Sequence, residues 1–199
     1  LTGKSRAGKS TFINFLSNKL VALESCDRVS VTQYLTEYYI YLNNDNNSEK
    51  IAIKLIDSPG VIPNNTEQSK KDLEELLKNS DENMEKQIHF ILFFFMEGES
   101  LEGINDILQL LNDCNIPVLF IINKAFDDSD NGKTRDINST ISHCKMNGWN
   151  NLINKDNYIG INIVGNRRTQ CFGVDEIFNR LYDIYKEKNK FSDKIKNKI

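Results

Sequence analysis

The sequence predicts an α/β fold, a mostly parallel sheet with helices on both faces, and three observations lead there. Segments of strand character alternate with segments of helical periodicity along the chain. One strand candidate, Ile88 to Met96 ("IHFILFFFM"), is apolar without alternation, as a strand covered on both faces must be. The glycine-containing polar segments fall where strands end, and open parallel sheets bind ligands at the carboxyl ends of their strands.

Leu1-Thr2 reads as the end of a strand whose body lies upstream, so the chain is expected to be a fragment lacking most of its first strand. Thr11 to Leu20 has helical spacing, with Phe12, Phe15, Leu16 and Leu20 on one face. Residues 24–33 are mixed and loop-like. "YLTEYYIYL" (34–42) and "IAIKLID" (51–57) read as strands around the polar turn 43–49. Thr66 to Gln87 is helical in pattern, with a break expected near Asn79-Ser80. After the apolar strand come a helix over 101–114, the strand "VLFIIN" opened by Pro117, and a helix over 137–145. The strand "YIGINIV" (158–164) and a helix over 174–186 close the pattern. There is no internal repeat and no linker. Residues 1–190 are expected to form one domain, and 191–199 a basic helix end or tail.

A chain of 199 residues can bury one sizeable core. Its net charge of −3 offers no electrostatic case for a nucleic-acid partner, and none is expected. Cys26, Cys114, Cys144 and Cys171 are scattered without a C-x-x-C pair, so reduced structural thiols are expected rather than a metal site. His89 and His143 have no partner at ligand spacing and read as structural. The apolar run 88–96 is too short to span a bilayer. In the basic tail, Phe191, Ile195 and Ile199 recur every four residues. A solvated helix end is the plainer reading there, with a membrane or partner helix as the alternative.

Three segments carry chemistry. Gly3-Lys4-Ser5-Arg6-Ala7-Gly8-Lys9-Ser10 fits G-x-x-x-x-G-K-[ST]. Its glycines let backbone N–H groups turn toward phosphates, Lys9 supplies a point charge, and Ser10 offers a hydroxyl to Mg²⁺. The helix that follows, from Thr11, points its positive end at the same anions. Asp57-Ser58-Pro59-Gly60 follows an alternating strand: Asp57 can hold the water shell of Mg²⁺, and the Gly60 N–H can sense a γ-phosphate. The third segment is "FIINKAF", with Asn123-Lys124 at the end of a buried strand.

In this order and spacing the segments resemble the G domain of the P-loop GTPases, in the branch of Era-like, septin-like and immune-associated members. The resemblance covers nearly the whole chain. It implies a three-layer, six-stranded, mostly parallel sheet, GTP as substrate, Mg²⁺ as cofactor, and a second metal-facing hydroxyl from Thr32 in "SVTQ", with Thr36 as its rival. Asn123 and Lys124 would cradle the guanine base. Two departures stand out. The family's base-reading aspartate should lie two residues after Lys124, where Phe126 stands. Asp127 could take over through a one-residue bulge, with Asp128 next to it. A last base contact should follow the strand 158–164, and Asn162 or Ile163 is the nearest candidate. Where Ras-like members carry a water-orienting glutamine, this chain has Val61. Arg6, at the loop's fourth position, matches the built-in arginine finger of guanylate-binding proteins and atlastins. The rest of the chain does not resemble that family closely, so a solvent-facing arginine is the plainer reading, with pairing to a partner's acidic group as the third.

The expected function is a cytoplasmic GTP-binding switch that hydrolyses GTP slowly, changes its association between G domains with the nucleotide, and makes at most weak contact with a membrane. The rivals are a nucleotide-gated scaffold with negligible turnover and an ATPase on the same fold. A metabolic phosphoryl-transfer kinase fits less well, because a base reader and a D-x-x-G switch would be superfluous there.

Overall fold

The computed structural model describes residues 1–22, 34–43, 50–62, 66–82, 87–96, 98–123, 137–149, 152, 157–163 and 173–183. In chain order these form β1 (Thr2–Gly3), α1 (Lys9–Ser17), β2 (Thr36–Asn43), β3 (Lys50–Asp57), α2 (Thr66–Glu82), β4 (Ile91–Met96), α3 (Asn105–Asp113), β5 (Val118–Asn123), α4 (Ile137–Met146) and β6 (Tyr158–Ile161). A further helix, α5, covers 174–183.

The strands β1, β4, β5 and β6 lie side by side in that order, all parallel. β2 and β3 form an antiparallel hairpin in which Thr36 stands opposite Asp57. Backbone hydrogen bonds tie the hairpin to β1. The Leu1 nitrogen donates to Ile56 O (2.6 Å), Ser58 N to Leu1 O (3.0 Å) and Val61 N to Gly3 O (2.9 Å). Among the described residues, β1, β4, β5 and β6 thus form a parallel sheet and the β2–β3 hairpin is hydrogen-bonded along β1, in agreement with a mostly parallel α/β architecture.

The apolar strands explain the three layers. Along β4, Ile91, Phe93 and Phe95 point to one face, while Leu92 and Phe94 point to the other. Residues of β5 divide the same way: Phe120 and Ile122 against Leu119 and Ile121. The first face packs on α2, α3 and α4 through Leu73, Leu77, Ile107, Leu108 and Cys144. The second packs on α1 and α5 through Phe12 and Ile177. Phe93, Phe94 and Phe120 are fully buried, each worth roughly 1.5–3 kcal/mol of transfer free energy. Burial on both faces is what removed the alternation from these strands.

Several element ends differ from the sequence pattern. α1 begins two residues early, because Gly8 in the left-handed region (φ 90°) already accepts from Phe12 N (2.9 Å). It ends at Ser17, where Asn18 turns left-handed (φ 50°). α2 runs unbroken through Asn79-Ser80, and the Ser80 hydroxyl accepts from Ile88 N (2.7 Å), fastening the return toward β4. The strand expected from Ile88 starts at Ile91, and α3 starts at Asn105 rather than at residue 101. Leu101 and Ile104 are buried nonetheless, so their apolar pattern records a packed loop rather than a helix. The tail 191–199 lies outside the described residues, as do Cys26 and Cys171.

Candidate nucleotide-binding site

The site grows from β1. The chain leaves the sheet at Gly3, whose missing side chain matters: a Cβ there would sit 2.1 Å from Phe94 O. Lys4 N still reaches Phe94 O (2.9 Å), and the loop then closes through Ala7 N to Lys4 O (3.3 Å). Ala7 is buried, Arg6 is exposed in the left-handed region (φ 67°), and Gly8 turns the chain into α1. The first turn of α1 carries Lys9, Ser10 and the half-buried Thr11. No acidic residue of α1 itself lies in that turn, and the positive dipole end of the helix faces the loop.

Lys9 is the charge at the centre. It is 6% exposed, and its Nζ donates to Lys4 O (3.1 Å) and, at longer range, to Gly3 O (3.5 Å). Burial lowers its pKa to about 8, an effect the Asp57 and Glu99 carboxylates oppose. The ammonium is thus held by loop carbonyls in a desolvated place, where a phosphate would relieve the cost of burial. Forty-seven residues away in sequence, the fully buried Asp57 brings Oδ2 to 3.4 Å from Ser10 Oγ. A hydroxyl and a carboxylate, side by side beside a helix N-terminus, are hard oxygen donors of the kind Mg²⁺ takes. The described residues of the site therefore fit that ion.

The segment after Asp57 lies along the loop. Ser5 N donates to Val61 O (3.0 Å), and a Cβ on Gly60 would lie 2.5 Å from Ser5 Cα. Gly60 is therefore needed for close approach to the phosphate loop. Val61 is 2% exposed and packs into the core with Leu73 and Phe93. From β5, buried Asn123 donates Nδ2 to Ala7 O (3.0 Å) and abuts Gly8. Asn123 and the phosphate loop are thereby fixed to each other. Asn162, 8% exposed, follows β6, whose Ile161 pairs with Asn123, so it sits at the same carboxyl edge of the sheet.

Lys4 behaves differently from a ligand-facing residue. Its Nζ pairs with Glu99 Oε1 (3.0 Å) and donates to Ser100 O (2.6 Å), both in the loop between β4 and α3. Glu99 and Ser100 were not foreseen, although they directly follow the apolar strand "ILFFFM" at the ligand-binding end of the sheet. Asn14 was also missed. It is buried in α1, accepts from Val21 N (2.9 Å) and Ala22 N (2.8 Å), and donates to Ala22 O (2.8 Å). Thr36, the rival to Thr32, uses its hydroxyl on Tyr34 O (3.2 Å). Thr32, Lys124, Phe126, Asp127 and Asp128 lie outside the described residues.

Comparison with known proteins agrees with this geometry. GTPase Era of Lactobacillus delbrueckii subsp. bulgaricus is 27% identical over 124 residues, which is 62% of this chain and 37% of that protein. GTPase Era of Lactobacillus helveticus is 24% identical over 125 residues, 63% of this chain and 38% of the relative. The fold is shared with Era solved in complex with MgGDPNP and a segment of 16S ribosomal RNA (TM-score 0.54, 20% identity, 81% of this chain and 49% of that one). A variant of Aquifex aeolicus Era bound to GDP·AlF4⁻ gives the same TM-score of 0.54 at 22% identity, with coverage of 81% and 49%. This chain spans well under half the length of the curated relatives it matches.

The Era–RNA complex corrects one expectation. Net charge argued against nucleic acid as a partner, yet a protein of this fold is solved with RNA bound. A net charge is a sum over a chain, whereas phosphate contacts are made by a few local cations, so the sum excludes no such partner. Among the described residues, no helix is long and apolar enough to cross a membrane. The model of the family described as 50S ribosome-binding GTPase matches residues 1–124, more than half of the sequence, and the chain therefore belongs to that family, as a P-loop GTPase G domain.

Proposed function

We propose that this domain binds GTP with Mg²⁺, hydrolyses it slowly, and works in the cytoplasm as a nucleotide-dependent switch. The observation that carries the reading is the Ser10–Asp57 pair, 3.4 Å apart at the N-terminus of α1 and beside the buried Lys9. Ser10 and Asp57 would hold Mg²⁺, directly or through its water shell, and the ion would neutralise phosphate charge as it develops. Lys9 would leave the loop carbonyls for the β- and γ-phosphates, and the N–H groups around Gly8 would bind the same oxygens. Gly60, pressed on the loop at Ser5, would respond to a γ-phosphate. Thr32 as second metal-facing hydroxyl, Lys124 and Asp127 as guanine readers, and Asn162 as a further base contact complete the proposal.

The Val61 side chain is buried in the core and carries no hydrogen-bonding group, so slow intrinsic turnover is expected. Arg6, exposed at the loop's fourth position, would assist catalysis when two G domains face each other. Turnover per molecule that rises with protein concentration, and falls in Arg6→Ala, would support pairing. Turnover independent of concentration would remove it. RNA enters as a partner class through the Era complex, and a comparison of RNA retention with GTP and GDP bound tests it.

The first test is a titration of the whole protein with fluorescent GTP and ATP analogues in Mg²⁺, with Lys9→Ala as control. Tight GTP binding, weak ATP binding and loss in the control support the reading. Equal binding of both nucleotides would transfer it to an ATPase, the outcome that Phe126 makes conceivable. Tight GTP binding without measurable phosphate release would favour a nucleotide-gated scaffold, in line with the burial of Val61.

A further inference from the structure

We propose that Glu99 is a positioning residue for the nucleotide: through Lys4 it fixes the loop backbone that holds Lys9. The inference rests on the GTP-binding reading and deepens it. Lys4 is the second residue of the phosphate loop, yet its side chain runs away from the anion site. Its Nζ meets Glu99 Oε1 at 3.0 Å and Ser100 O at 2.6 Å. The side chains of the pair are only 11% and 23% exposed. The Glu99 end is itself immobilised. Its second oxygen accepts from Met96 N (3.1 Å), the last residue of β4, and its own N–H returns to Met96 O (3.1 Å). Glu99 is therefore a fixed anchor at the end of a central strand.

Lys4 also connects to Lys9, through its carbonyl, which accepts from Lys9 Nζ at 3.1 Å. One residue thus joins the anchor by its side chain and the phosphate-binding ammonium by its backbone. Breaking a largely buried ion pair from one side leaves the other charge desolvated and uncompensated. Lys4 would relieve that by reaching for water, and its peptide, with the carbonyl that places Lys9, would move with it. An exposed pair would have no such leverage, because solvent screens it and either partner can leave freely. The alternative is that the pair merely staples the β4–α3 loop to the fold.

Fluorescent GTP-analogue titrations of the whole protein, reading both Kd and binding stoichiometry, separate these roles. Glu99→Gln is the main variant: it keeps the volume, but an amide cannot accept at both Lys4 and Met96 N. Glu99→Gln and Lys4→Ala are each expected to raise Kd by roughly tenfold at unchanged stoichiometry. The double variant should bind no more weakly than the worse single one. Lys4→Arg, which keeps the charge, should recover most of the affinity. Wild-type Kd in Glu99→Gln, additive losses in the double variant, or reduced stoichiometry at unchanged Kd would each overturn the proposal. If Lys9→Ala binds as well as the wild type, the GTP-binding reading itself fails, and the Glu99 proposal falls with it. Lys9→Ala failing while Glu99→Gln binds normally overturns the Glu99 proposal alone.

Discussion

Replacing Gly8 by alanine puts a methyl group where the Asn123 amide lies. The new Cβ would stand 2.0 Å from Asn123 Nδ2, far inside contact distance, and the backbone there holds φ at +90°. The left-handed conformation alone costs an L-residue about 1–2 kcal/mol. Displacing Asn123 also breaks its hydrogen bond to Ala7 O and strands a buried amide, a further cost of about 1–3 kcal/mol. Destabilisation of roughly 2–5 kcal/mol follows, a large fraction of the stability of an ordinary domain. Gly98→Ala is the control, because Gly98 shares a positive φ (+75°) but has nothing within 4 Å of its Cβ position. Urea unfolding without nucleotide measures both variants, with an unchanged m-value showing that stability rather than compactness has altered. Gly8→Ala should lose clearly more than Gly98→Ala, and it alone should lose nucleotide affinity. Equal losses in the two variants, with affinity intact in both, would refute the Asn123 clamp.

Ser10→Ala should abolish the Mg²⁺ dependence of GTP affinity while leaving some metal-free binding, since the Lys9 side chain and the loop N–H groups remain. Titrations with Mg²⁺ and with chelator check this. Asn14→Ala removes three hydrogen bonds to the Val21-Ala22 backbone, two accepted and one donated, and should lower stability by roughly 1–3 kcal/mol in a denaturant melt. The Cys144 thiol, fully buried beside Trp149, is pushed up to about 11 by desolvation, from an ordinary value of 9.0. Between those values the unfolded chain releases its proton first, so this group's contribution to stability is intact below about pH 9 and is lost as pH rises toward 11. Thiol-reagent kinetics at pH 8 should show Cys144 reacting only upon unfolding, unlike the partly exposed Cys114.

Much of the site is legible along the chain because its parts are local. The loop from Gly3 to Ser10 is one continuous turn into a helix, and its chemistry follows from glycines and one lysine at fixed spacing. Asp57 and Asn123 could be placed because each ends a strand, and parallel strands deliver their carboxyl ends to one edge. The apolar run of β4 announced burial on both faces, and the two clusters around Phe93 and Phe94 bear that out. Element ends were less legible. Leu101 and Ile104 have a helix-like pattern but lie in a packed loop, since burial selects apolar residues whatever the backbone does there.

The sequence by itself determined the layer order, the phosphate loop, and the residue types offered to metal and base. Only the tertiary structure decided which of those side chains face the ligand site. Lys4 stands among the ligand-facing residues in sequence, but it is turned to Glu99, ninety-five positions away. Asn123 reads as a base contact, and it also reaches back 116 positions to Ala7. Gly60 reads as a phosphate sensor, and its missing Cβ is demanded by Ser5. Such pairings depend on the register of β1 with β4 and of β4 with β5, which is set by how side chains of both faces pack, not by spacing within any one segment.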